Sequence, residues 1–96
     1  MHLAIPHKTS RQAAVDKIKS ALSEHRAEIT QHATVNKEEW SGDTLNFEVD
    51  LQGKSISGTL EVTDTQYILD AKLPLLWRMF EGRIESEIEK QVKEIS

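Results

Sequence analysis

The chain has 96 residues, no cysteine, 38% hydrophobic and 29% charged content, and 16 acidic against 12 basic residues for a net charge of -4. That length makes one domain, residues 1–96, with a modest single core, and the composition fits a folded soluble protein rather than a disordered one. Disulfides, thiolate metal sites and a cysteine nucleophile are excluded, and an acidic chain without a basic cluster is a poor nucleic-acid binder, because that affinity rests on neutralising phosphates.

His2 to Ile5 reads as a short strand, and Pro6 restricts it to an edge. Thr9-Ser10-Arg11-Gln12 has the form of a capping box, with Thr9 as N-cap, and predicts a helix to about Thr30. Ala14, Val15, Ile18, Ala21, Leu22, His25 and Ile29 share one face of it at about 100° per residue. Residues 33–40 are strand-like but out of phase. Val35 and Trp40 would lie on opposite faces of an unbroken strand, so a bulge or irregular edge is expected between them.

From Ser41 the pattern sharpens. Ser41-Gly42-Asp43 is a turn, and Leu45, Phe47, Val49 and Leu51 then alternate with Asn46, Glu48 and Asp50, as in a strand with one wet face. Gln52-Gly53 turns the chain into a second strand, where Ile56, Leu60 and Val62 alternate with Ser57, Thr59 and Glu61. Gly58 occupies a core-facing slot there, where close approach of a helix is expected. After Asp64-Thr65, the residues Tyr67, Leu69, Ala71 and Leu73 form the last strand. Residues 73–96 read as one long helix launched by Leu73-Pro74. Leu76, Phe80, Ile84, Ile88, Val92 and Ile95 recur at steps of four or three, a stripe meant for the sheet. The order β-α-β-β-β-β-α predicts an α+β fold, an antiparallel β-meander with two helices packed on one face.

No apolar run approaches the roughly 20 residues that span a bilayer, and no basic segment precedes an apolar core at the start. Neither a transmembrane segment nor a signal peptide is expected. His2, His7, His25 and His32 lack ligand spacing; His25 and His32 are about 10 Å apart along a helix, so no metal site is expected. His25 falls within the apolar stripe, as a boundary histidine at the sheet edge or as a pH-sensitive contact. Glu81, Glu85 and Glu89 form a solvated acidic row, and neither a nucleophile elbow nor a phosphate loop is present. No catalytic residue and no cofactor is predicted, and the chain is not expected to be an enzyme.

A second stripe, Leu75, Met79, Gly82 and Ser86, lies roughly opposite the main one. It suits the neighbouring helix, a homodimer contact or an apolar surface, and Trp77 would join Leu75 and Met79 on such a surface.

IPH near the start, AAVDKI in the first helix, GDTLNFEV after Trp40, LEV, the LPLL junction and GRIESEIEKQV together resemble the polyhydroxyalkanoic acid system family of small bacterial proteins. The resemblance runs from about Ile5 to Ile95. It implies a cytoplasmic, granule-associated accessory or regulatory protein that acts on polyhydroxyalkanoate granules or their metabolism through apolar contact with the granule or a granule protein. It carries over no catalytic residues. The alternatives are a carrier of small hydrophobic ligands with a helix-grip-like pocket between sheet and helix, and a homodimeric interaction module. A cavity above about 300 Å³ there would favour the carrier.

Overall fold

A computed structural model describes residues 1–95; Ser96, the last residue of the predicted C-terminal helix, lies outside the described residues. The elements run β1 (His2–Pro6), α1 (Arg11–Glu24), α2 (Arg26–His32), β2 (Ala33–Ser41), β3 (Thr44–Leu51), β4 (Lys54–Val62), β5 (Gln66–Lys72), a 3-10 segment (Leu75–Phe80) and α3 (Glu81–Ile95). The strands form one antiparallel sheet in the order β1-β5-β4-β3-β2. This is an α+β fold, a four-strand meander with β1 added at the β5 edge. Pro6, which has no N–H to donate, is tolerated at that edge.

Register places the alternating apolar residues on one face. Val49 pairs with Ile56, Phe47 with Gly58 and Leu45 with Leu60, while Leu60 pairs with Leu69, Val62 with Tyr67 and Ile5 with Tyr67. The hairpin from β3 to β4 turns at Gln52 and Gly53, with φ of 53° and 75°. Two consecutive positive φ values match the right-handed twist of the flanking strands, and Gly53 meets that demand without strain.

The expected bulge is present: β2 and β3 slip register between Val35 and Lys37. The extra residue, Asn36, brings Val35 and Trp40 to the same side of the sheet, so that Trp40 packs against the core under the ammonium of Lys19, 5.1 Å from the ring centroid.

Packing corrects four expectations. Ser10, not Thr9, caps α1, accepting a hydrogen bond from Ala13 N–H at 3.1 Å. The first helix is broken at His25, which ends α1 and begins α2. What lies close to Gly58 is no helix: a Cβ there would collide with the Asp70 carbonyl of β5 and meet the Phe47 ring at 3.0 Å. The C-terminal helix is likewise not continuous from Pro74. Its first six residues wind as a 3-10 segment, in which Trp77 N–H donates to the Pro74 carbonyl at 2.9 Å, and the α-helix starts at Glu81.

The buried core is Ile5, Ala14, Val15, Ile18, Val62 and Tyr67, with Ile88, Val92 and Ile95 of α3 packed against it. Each large apolar side chain removed from water this way contributes roughly 1.5–3 kcal/mol. Burial of Tyr67 pushes its phenol pKa up, and its hydroxyl donates a long 3.5 Å bond to the Ala14 carbonyl. This core sits over β1, β5 and β4. Both α1 and α3 are over that half, and the dry face of β3 and β2 continues beyond them.

Candidate functional site

That uneven cover creates the first site feature, an apolar groove of about 550 Å³ between the helices and the sheet. Its floor is Val35, Leu45, Phe47, Val49, Leu60 and Leu69, and its walls are Ile18, Leu22 and Ile29 on one side and Val92 and Ile95 on the other. Phe47 and Val49 are half-buried, so side chains with core patterning end in an open trough. The polar rim holds His25, Arg26, Lys37, Glu38 and Gln91.

Within the rim, Arg26 Nη1 lies 2.8 Å from Glu38 Oε1, and Nη2 donates to Oε2 at 2.9 Å. This two-pronged contact holds α2 against β2. Hydrogen bonding to Arg26 draws the Glu38 carboxyl below the usual carboxylate range, and the same contact raises the guanidinium. His25 is exposed, with Nδ1 3.7 Å from Glu28 Oε1. It is a rim group at the helix break and not a buried member of the apolar stripe.

A second feature lies at the Pro74 end of the sheet. Leu75, Leu76, Met79 and Phe80 are 76%, 68%, 82% and 54% exposed. Leu76 and Phe80 were expected in the sheet-facing stripe, and that expectation is corrected. A 3-10 segment advances about 120° per residue instead of 100°, which breaks the phase linking them to Ile84 and Ile88. The same change separates Leu75 from Met79, so the predicted stripe of Leu75, Met79, Gly82 and Ser86 does not form a single helical face. Nor do Leu75 and Met79 cover the neighbouring helix, since both stand in solvent. Trp77 is half-buried, while Gly82 and Ser86 are exposed on α3. A side chain at Gly82 would project into open space beside α3.

The histidine that matters most to the fold is His7, 7% exposed. Its Nε2 lies 2.8 Å from the Thr63 carbonyl, Nδ1 accepts from Thr9 N–H at 3.3 Å, and its ring centroid is 5.1 Å from that of Tyr67. A carbonyl only accepts and a backbone N–H only donates, so these partners select the tautomer with the proton on Nε2. The sequence signal for this role was the IPH triplet at a strand end, which carries no ligand spacing. Arg11 performs a comparable task outside the core, reaching Asp64 at 3.0 Å and Asp43 at 3.4 Å. It clamps the start of α1 to two turns, and the hydrogen bond to Asp64 raises its pKa.

Among the described residues no three His, Asp or Glu side chains gather as metal ligands, and no helix is long and apolar enough to cross a membrane. Against this geometry, the model of the polyhydroxyalkanoic acid system protein family matches residues 1–95. The chain belongs to that family. No curated protein and no solved structure matches it.

Proposed function

We propose that this member of the polyhydroxyalkanoic acid system family is a non-catalytic, cytoplasmic accessory or regulatory protein that attaches to polyhydroxyalkanoate granules through the 3-10 tip. The observation that carries the reading is the exposure of four large apolar side chains in six consecutive residues, Leu75, Leu76, Met79 and Phe80. Clustered exposure of that kind marks a contact surface, whereas isolated exposed leucines are ordinary. A non-catalytic role is supported by the commitments of the polar groups: His7 uses both ring nitrogens on the backbone, and Asp43 and Asp64 hold Arg11.

The test is sedimentation with purified polyhydroxyalkanoate granules. Wild-type protein is expected in the pellet and a Met79→Glu variant in the supernatant, with unchanged circular dichroism because Met79 is 82% exposed. Equal pelleting of both proteins would overturn the reading.

The groove supports a second reading, a carrier of hydrophobic molecules, because its volume of about 550 Å³ lies within the usual range of small-molecule sites. Under that reading long-chain alkanoic acids displace anilinonaphthalene sulfonate from the wild type, and Phe47→Asp abolishes uptake of the dye. A wild-type protein that leaves the dye's emission unenhanced and unshifted would dismiss the carrier.

A further inference from the structure

We infer that the 3-10 tip docks on an anionic phospholipid surface, with Lys54, Lys72 and Arg78 supplying the electrostatic half of the contact. The inference rests on the reading of the tip as the contact surface and adds the chemistry of what it meets. Leu75 and Arg78, three residues apart and so eclipsed on one face of a 3-10 turn, line a shallow depression together with Lys54 and Lys72. Three cations and no carboxylate line that depression, in a chain whose net charge is -4.

Among the described residues Lys54, Lys72 and Arg78 have no ion-pair partner. Two carboxylates of adjoining segments are already engaged: Glu48 accepts from the Ser55 hydroxyl at 3.4 Å, and Glu81 lies 3.2 Å from the Met1 amino group. Leu76 and Met79, also eclipsed, project from a neighbouring face of the turn.

An apolar tip flanked by unpaired cations matches a surface with acyl chains below and anionic headgroups above. Bare polyester offers the apolar component without the headgroup charge, so the cations would contribute little there.

The experiment is flotation of the full chain with vesicles of phosphatidylglycerol and phosphatidylcholine, with pure phosphatidylcholine vesicles, and with bare polyhydroxyalkanoate particles. Binding to the anionic vesicles is expected, and it should weaken in about 1 M salt, where the screening length falls to about 3 Å. Each cation near such a surface is worth a factor of about five, so Lys54→Glu combined with Lys72→Glu should weaken binding by about 25-fold or more, with unchanged circular dichroism. A Leu75→Asp, Met79→Asp variant should lose the vesicles as well.

Equal binding to neutral and anionic vesicles, or indifference to charge reversal, would overturn the inference. Binding to bare particles without binding to vesicles would overturn it while leaving the tip as the granule contact. Failure on all three surfaces would remove both readings.

Discussion

The guanidinium of Arg26 on α2 and the carboxylate of Glu38 on β2 meet through two parallel contacts, 2.8 and 2.9 Å long, at the rim of the open groove. They tie a seven-residue helix with no buried residue of its own to an edge strand. The Glu38 carboxyl is held below its ordinary pKa, chiefly by hydrogen bonding to Arg26. A depressed carboxyl stabilises the fold above its unfolded pKa, and that contribution is lost as pH falls through the folded value. Unfolding followed against pH should therefore show an acid limb that flattens in Glu38→Gln. Amides of α2 should exchange faster in that variant than those of α1, because the fastening acts locally. An unchanged acid limb would remove the role assigned to the pair.

Gly58 marks the tightest point of the sheet. Its missing side chain leaves room for the Phe47 ring and the β5 backbone at Asp70 and Ala71. Gly58→Ala must displace backbone, and overpacking of this kind costs about 1–3 kcal/mol. Urea titration should show a lower midpoint with little change in slope. Phe47→Leu introduced with Gly58→Ala should recover only the part due to the ring, because the β5 carbonyl remains in place.

His7→Ala should destabilise the fold by about 1–3 kcal/mol, the usual cost of leaving buried polar partners unmatched, because the Thr63 carbonyl and Thr9 N–H both lose their ring nitrogen. Nitrogen-15 NMR of the wild type should show the proton on Nε2. A proton on Nδ1 would contradict the bonding described for this ring.

Most of the fold was legible in the sequence because strands with one wet face write their period directly. Leu45, Phe47, Val49 and Leu51 gave both strand and facing. The phase conflict between Val35 and Trp40 pointed to a bulge or irregular edge between them, and the structure places the inserted residue at Asn36. The 3-10 start of the last helix was not legible. Leu76 and Phe80 fit an α-helical repeat with Ile84, and apolar spacing alone does not distinguish 100° from 120° per residue over two turns. Leu75 and Met79 were therefore named from a stripe that does not exist as a helical face, although they stand exposed in the tip. The groove was hidden for a different reason. Core patterning reports which face of a strand is dry, and says nothing of how much of that face the helices reach.

Because the chain lacks cysteine, one introduced thiol can carry a single environment-sensitive dye, which makes the granule contact directly measurable. Labelled Met79→Cys should shift its emission to the blue and lose access to a soluble quencher when granules are added. The same dye at Glu61→Cys, exposed at the end of β4 remote from Lys54 and the tip, should remain unchanged. Identical responses at the two positions, or no response at position 79 while the protein pellets with granules, would contradict attachment through the 3-10 tip.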